Sequence, residues 1–142
     1  MRKIVLISCV SKKLPYKAKA TDLYISALFK KNLAYAQKLK PDIIYILSAK
    51  YGLLSLETDI EPYNVTLNKM SARQVRNWAG GVLKQLSEQT DIEKDHFVFL
   101  AGMKYRKYLI PHITSFEVPL EGMPIGKQLH YLSEQGNEPN LP

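Results

Sequence analysis

Ile43-Ile-Tyr-Ile-Leu47 is followed directly by Ser48-Ala-Lys-Tyr-Gly-Leu-Leu54, and then by the carboxylates and ring of Asp59-Ile-Glu-Pro-Tyr63. The short, β-branched apolar run predicts a buried strand. In open α/β sheets, ligands bind just beyond the carboxyl ends of the strands. A buried strand that ends in serine, lysine, tyrosine and glycine, with two carboxylates downstream, therefore indicates a ligand site rather than packing alone.

Two other apolar segments have the length and composition of strands, a fourth segment fits an edge strand, and helical patterns alternate with them. This alternation implies right-handed parallel crossovers. We therefore predict an α/β fold, a single-domain three-layer sandwich with a mostly parallel four-stranded sheet, over residues 1–134, and a frayed tail over 135–142. The strands are expected at 3–8, 43–47, 96–101 and 115–118, and the helices at 22–39, from 72 onward, from 103 to near 111, and at 127–134.

The composition is that of an ordinary globular domain. The chain has 142 residues, of which 46% are hydrophobic and 23% charged, enough for one domain with its own core. No apolar run is long enough to span a bilayer or to form a signal-peptide core, so no membrane partner is expected. The single cysteine, Cys9, excludes an internal disulfide and suits a reducing compartment. We expect a cytoplasmic protein.

The net charge of +7 is concentrated near the amino terminus. The first 40 residues hold ten Lys or Arg and one acid, Asp22, whereas the other 102 hold ten basic and twelve acidic side chains. Such asymmetry fits a polyanionic partner or a ligand that bears phosphate. A solvated lysine face explains the charge count equally well.

Four loops are expected to converge at one edge of the sheet, because parallel strands place their carboxyl ends together. These loops are 8–13, 48–63, 101–106 and 119–126. The βα loops lead to helix N-termini, whose free N–H groups favour an anion. Hydroxyl, cationic and aromatic side chains in the loops are of the types that bind phosphate or a planar ring. The candidate ligand-binding residues are Ser8, Ser11, Lys12, Ser48, Lys50, Tyr51, Gly52, Tyr63, Gly102, Tyr105 and Arg106.

Asp59 and Glu61 are the candidate catalytic residues, because a carboxylate can act as general acid or base beside a bound ring. The alternative is structural: a capping aspartate, a solvated glutamate, and a Tyr63 that covers the core. No Walker A or G-x-G-x-x-G motif is present, and the three histidines and one cysteine match no metal-ligand spacing. We expect neither a cofactor nor a metal site.

Several motifs resemble a family of uncharacterised bacterial and phage domains, over nearly the whole chain. They include Cys9-x-Ser-Lys12, Leu47-Ser-Ala-Lys-Tyr-Gly-Leu-Leu54, Ala101-Gly-x-x-Tyr-Arg106 and Pro119-Leu-x-Gly-x-x-Ile-Gly126. The second motif, with Ile60-Glu-Pro-Tyr63 downstream, is also distantly similar to the YaaA peroxide-stress proteins, which are associated with DNA binding. A similar signature occurs in a domain of archaeosine synthases, which act on a modified base in tRNA. The resemblance implies nucleobase or nucleic-acid chemistry, including glycosylase-like activity.

Two functions of different classes follow. The first is an enzyme that acts on a nucleobase, nucleoside or nucleotide, or on a base within nucleic acid, by glycosylase-like N-glycosidic cleavage or exchange. Asp59 or Glu61 would stabilise the oxocarbenium-like centre or activate water, with Tyr51 and Tyr63 near the base. The alternative is a non-catalytic DNA- or RNA-binding protein in stress response or phage defence. A small-ligand sensor would use the same pocket.

Overall fold

The computed structural model describes residues 1–8 and 12–136. In chain order, the strands are β1 (Lys3–Ser8), β2 (Ala18–Lys19), β3 (Ile43–Ser48), β4 (Gly52–Ser55), β5 (Asp59–Ile60), β6 (His96–Leu100) and β7 (Ser115–Glu117). The helices are α1 (Ala20–Leu23), α2 (Ala27–Lys38), α3 (Ala72–Gln89), α4 (Met103–Arg106) and α5 (Ile125–Gly136), with 3-10 turns at Leu67–Lys69 and Ile110–His112. The main sheet has the order β4-β3-β1-β6-β7, and β2 pairs with β5 separately.

Strand β1 is the centre of the sheet and of the core. It pairs in parallel with β3 on one side and with β6 on the other, so that Ile4 lies opposite both Ile43 and Phe97. The side chains from Ile4 to Ile7 are fully buried, as expected for an apolar strand in a sheet that is covered on both faces. The predicted α/β domain with a mostly parallel sheet is therefore confirmed.

The predicted count of four strands is wrong, because the sheet has a fifth strand within the segment assigned to a loop. Strand β4 folds back antiparallel to β3, with Ser48 opposite Gly52 and Leu47 opposite Leu53. Gly52 has a φ of +75°, a conformation that glycine adopts without steric cost. This backbone conformation closes the short connection between the two strands. The polar residues that follow Leu47 therefore belong to a β-hairpin.

The helix predicted over residues 22–39 is two helices, α1 and α2, separated by extended backbone. Tyr24 interrupts the helical path by forming an antiparallel bridge with Lys13 of the first loop. Ser26 then caps α2, because its Oγ accepts a hydrogen bond from the N–H of Phe29 at 3.2 Å. The prediction of one continuous helix is wrong because a contact with the preceding loop overrides the local helical pattern.

The longer helices pack on the sheet in two groups. Helix α2 contacts α5, where the rings of Tyr35 and Tyr131 meet edge to face at 6.0 Å. Helix α3 contacts β4 and α4, and the rings of Trp78 and Tyr105 meet at 5.5 Å. The chain crosses from β1 to β3 through α2 and in the opposite direction, from β3 to β6, through α3. For right-handed crossovers, this reversal places α2 and α3 on opposite faces of the sheet.

The carboxyl-terminal helix is longer than predicted. Helix α5 begins at Ile125 instead of Lys127 and extends to Gly136, so that residues 135 and 136, expected in a frayed tail, are helical. The rest of that tail, residues 137–142, lies outside the described residues, as do Cys9 and Ser11. No helix within residues 1–8 and 12–136 is long and apolar enough to cross a membrane.

Helix α3 begins with the capping box that its sequence predicts. The Oγ of Ser71 accepts a hydrogen bond from the N–H of Gln74 at 3.2 Å, and the Oε1 of Gln74 accepts one from the N–H of Ser71 at 2.9 Å. The apolar stripe of the helix is buried, whereas Gly80 and Gly81 are exposed. No atom lies within 4 Å of the position that a Cβ would take at either glycine. Neither glycine serves close packing against the sheet.

Replacing Gly80 or Gly81 by alanine is expected to stabilise the protein by roughly 0.5–1 kcal/mol each, because alanine has the higher helix propensity and the added methyl meets no neighbour. Urea unfolding followed by circular dichroism measures the change. Gly52→Ala is the control with the opposite sign, because its φ of +75° is unfavourable for alanine and the Cβ would collide with Gln85 Oε1. A destabilised Gly80→Ala variant would contradict the exposed placement of this glycine.

Candidate functional site

The chain leaves β1 toward β3 but leaves β6 toward β7, so the connections diverge between these two neighbouring strands. At such a switch point the loops move apart and open a crevice beyond the carboxyl ends of the strands. Ser8, the last residue of β1, links the end of β1 to the loop that follows β6. Its Oγ accepts a hydrogen bond from the N–H of Gly102 at 3.0 Å. The topology therefore predicts a ligand site beside Ser8.

A cavity of about 350 Å³ lies at this position, between the start of α2, the β6–α4 loop, α4 and the turn before α5. It is termed the switch-point cavity. Its volume is within the range of small-ligand pockets, and its lining has their character, mainly apolar with a few polar groups. The apolar lining includes Phe29, Phe99 and Leu120, and the polar lining includes Ser8, Asn32, Arg106 and Gln128.

Asn32 lies on α2, on the same side as the buried Phe29 and Ala36, and is only 3% exposed. Its Oδ1 has no hydrogen-bond partner among the described residues. A buried polar atom without a partner costs about 1–3 kcal/mol, and such atoms are rare in native structures. Asn32 also belongs to the lining of the switch-point cavity.

Arg106 is held in the wall of the same cavity and is 8% exposed. Its Nη1 donates to the carbonyl of Ala101 at 2.7 Å, and its Nη2 lies 4.0 Å from Oε2 of Glu121. A guanidinium has five N–H donors, so these two contacts use only part of its capacity. Arg106 can therefore bind an acceptor group of a ligand while its position stays fixed by the protein.

A second cavity, of about 410 Å³, lies beside the first loop and is termed the Lys–Tyr cavity. Lys12, Lys13 and Tyr63 are among the residues that line it. The Nζ of Lys13 lies 4.5 Å from the centre of the Tyr63 ring, within the range of a cation–π interaction. The predicted binding residues Lys12 and Tyr63 therefore lie at a different cavity from Ser8 and Arg106.

A buried chain of hydroxyl groups joins the β3–β4 hairpin to the segment before α2. The Oγ of Ser48 donates to the hydroxyl of Tyr63 at 2.9 Å, and the hydroxyls of Tyr63 and Tyr24 are 2.6 Å apart. The same Oγ accepts hydrogen bonds from the N–H groups of Lys50 and Tyr51, at 3.3 and 3.0 Å. Ser48 and Tyr63 therefore stabilise the hairpin and its contact with the preceding chain.

The other predicted residues of the hairpin surround this network. The ring of Tyr51 packs edge to face against Tyr63 at 5.7 Å, and the Nζ of Lys50 lies 5.3 Å from the centre of the Tyr51 ring. Asp59 and Glu61 are exposed, and neither lines either of the two cavities. Asp59 lies in β5, opposite Lys19.

The structure thus separates the predicted site residues into groups instead of joining them in one pocket. Ser11 lies outside the described residues. Within residues 1–8 and 12–136, no three His, Cys, Asp or Glu side chains are grouped so that they could hold a metal ion. Ser8, Gly102, Tyr105 and Arg106 line the switch-point cavity, Lys12 and Tyr63 line the Lys–Tyr cavity, and Ser48, Lys50, Tyr51, Gly52, Asp59 and Glu61 line neither.

The candidate residues predicted from the sequence do not include Asn32 and Gln128, which line the switch-point cavity, or Glu121, which lies beside Arg106. Asn32 carries a signal that could have identified it, because a polar side chain at a core position of an amphipathic helix departs from the usual pattern. Gln128 is positioned by a hydrogen bond from its Nε2 to the carbonyl of Met123 at 2.9 Å. Glu121 and Gln128 lie in no pattern that distinguishes them from ordinary surface residues.

Residues 4–134 match a family of unknown function, DUF6884. The chain belongs to this family. The match extends from β1 into α5 and includes all the residues that line the two cavities, so both lie in the part of this chain that matches the family. No curated protein matches the chain. The expected membership of an uncharacterised family is confirmed, and the similarity to YaaA proteins and archaeosine synthases stays a prediction.

Removing the Tyr63 hydroxyl by Tyr63→Phe is expected to destabilise this DUF6884 domain by about 1–3 kcal/mol, because the buried Ser48 hydroxyl loses its acceptor. Chemical unfolding measures the loss. Tyr16→Phe is the matched control, since Tyr16 is 61% exposed, and its stability is expected to change by less than about 0.5 kcal/mol. Equal stability of both variants would contradict a structural role for the hydroxyl chain.

Proposed function

We propose that this domain binds a nucleobase-bearing ligand in the switch-point cavity and acts on it by N-glycosidic cleavage or exchange. The observation that carries the binding proposal is the buried Oδ1 of Asn32, which has no hydrogen-bond partner among the described residues and belongs to a residue of the cavity lining. A ligand that donates an N–H to this oxygen removes the cost of its burial.

A nucleobase has the properties that the lining requires. Its flat faces suit a mainly apolar lining, while its edge presents both N–H donors and acceptors. The amide of Asn32 can pair with such an edge, as asparagine does with adenine. Met103 and Ile125 line the cavity although they are 59% and 63% exposed, and a ring that reaches them would cover their apolar surface.

Arg106 offers further hydrogen-bond donors to a nucleoside or nucleotide. Its remaining N–H donors suit a base carbonyl or a phosphate. The similarity of the Leu47–Leu54 motif to families with nucleobase chemistry supports the same class of ligand. Both the polar groups of the cavity and the sequence resemblance therefore favour a nucleobase over a purely apolar ligand.

The reaction requires a carboxylate that stabilises an oxocarbenium-like centre or activates water. Among the described residues, no Asp or Glu lines the switch-point cavity. Asp59 and Glu61 remain candidates from the sequence, and Glu121 joins them because its Oε2 lies 4.0 Å from the Nη2 of Arg106. Glu121 is largely exposed and lies in the turn before α5, between the lining residues Leu120 and Gly122.

Asn32→Leu tests the binding proposal. We expect it to weaken nucleoside binding by at least about tenfold, the effect of losing one hydrogen bond of about 1.4 kcal/mol, while the free protein becomes no less stable because an unpaired buried oxygen is removed. Calorimetric titration with the four ribonucleosides and their 5′-monophosphates measures affinity. Gln37→Leu, an exposed change on the same helix, is the control. Absence of binding in the wild type, or equal affinity in both variants, would overturn the proposal.

The catalytic proposal is tested by Asp59→Asn, Glu61→Gln and Glu121→Gln, assayed by chromatography for release of free base from nucleosides and oligonucleotides. Loss of at least about 100-fold in rate is expected for the carboxylate that acts as general acid or base. Full turnover in the Asp59 and Glu61 variants would remove both from the site, and full turnover in all three would remove the proposed carboxylate mechanism. Nucleoside affinity, measured in parallel, separates a loss of chemistry from a loss of binding.

A further inference from the structure

Two segments that pack against each other contain several basic residues and no acid. Residues 62–87 carry four Lys or Arg, residues 96–116 carry three, and neither segment contains Asp or Glu. The contacts of α4 with α3 and with the 3-10 turn before α3 bring the two segments together. Their exposed cations, here termed the α3–α4 face, are Lys69, Arg73, Arg76, Lys84, Lys104 and Lys107.

None of the six cations of this face forms a salt bridge within the part of the chain that the structure describes. Some basic residues of the first 40 positions do have partners. Arg2 pairs with Asp95 and Lys19 with Glu57, and Lys31 donates to the hydroxyl of Ser133. Part of the positive charge of the first 40 residues is therefore paired with groups of the protein itself.

Two cations of the face share one aromatic ring. The guanidinium carbon of Arg76 lies 5.7 Å from the centre of the Tyr108 ring, and the Nζ of Lys107 lies 5.5 Å from it. Like charges held this close repel each other, and the repulsion is relieved when an anion binds between them. Arginine and lysine together, without an acid, are the residues that bind phosphate.

The face extends to the rim of the switch-point cavity. The Nζ of Lys104 donates to the carbonyl of Asn68 at 3.2 Å, and Asn68 lines the cavity. Tyr105 and Arg106 also line the cavity, and they lie between Lys104 and Lys107 in the chain. A phosphate on the face therefore lies next to the position proposed for the base.

We infer that the ligand of the switch-point cavity is a base within single-stranded nucleic acid, whose phosphates contact the α3–α4 face. The inference rests on the proposed function for the base and adds the polymer to which the base belongs. A free nucleotide leaves most of the face unused, whereas a strand supplies one phosphate after another to cations along α3 and α4. A base from a single strand also enters a cavity without the cost of leaving a duplex.

The inference is tested by fluorescence anisotropy with labelled single-stranded DNA and RNA of about 12 nucleotides, a length in the range of known single-strand sites. The face variant carries Arg73→Gln, Arg76→Gln and Lys107→Gln. The matched control carries Lys17→Gln, Lys30→Gln and Lys40→Gln, which remove the same charge from exposed positions outside the face. We expect the face variant to bind at least about tenfold more weakly. The slope of log Kd against the logarithm of the salt concentration is expected to fall by about 2, for three lost phosphate contacts.

The outcomes separate this inference from the proposed function. If the wild type binds nucleosides but oligonucleotide affinity falls equally in the face and control variants, the inference is overturned and the proposed function is not. A second result overturns the proposed function and the link to the cavity. In this result the wild type binds no nucleoside, and oligonucleotide binding is weakened in the face variant but unchanged by Asn32→Leu. Unchanged nucleoside binding in the face variant supports the inference that the cavity binds the base and the face binds the phosphates. Tighter binding to phosphatidylserine vesicles than to either oligonucleotide, lost in the face variant, would identify a membrane surface and overturn the inference.

Discussion

The parallel pairing of β1 with both β3 and β6 is the constraint on which the rest of the structure depends. It buries β1 on every side and ends three strands at the same edge, with Ser8 opposite Leu47 and Ile7 opposite Leu100. Because the chain leaves β1 and β6 in opposite directions, the loops separate at Ser8 and a cavity opens there. The location of the cavity is therefore a consequence of strand order and not of any single motif.

At this edge the described part of the protein maintains two unfavourable features. One is the buried amide oxygen of Asn32, which has no hydrogen-bond partner there. The other is the α3–α4 face, whose cations have no acidic neighbour in a salt bridge. Both raise the free energy of the isolated protein. The proposed strand of nucleic acid would relieve both, since its bases donate hydrogen bonds and its phosphates carry negative charge. This proposal links the cavity with the face.

Much of the fold could be predicted because the strands β1, β3 and β6 are apolar runs separated by helical patterns. Strand β4 could not, since Gly52 and its neighbours have the residue types of a site as well as those of a hairpin. The break before α2 could not either, because it depends on the bridge between Tyr24 and Lys13, which only the folded loop creates. Of the site, Ser8 and Arg106 follow from their places after strands, whereas Asn32 needed the burial of α2 to be known.

By itself, the sequence determined the α/β class, the parallel core and the edge of the sheet at which the switch-point cavity lies, because these follow from hydrophobic periodicity and strand order. Only the tertiary structure decided which candidate residues share a cavity and which surface keeps its charge. Counting along the chain assigns the positive surplus to the first 40 residues. Folding pairs some of those cations with partners and brings the acid-free segments 62–87 and 96–116 together, because electrostatic interactions depend on distance in space and not on separation in sequence.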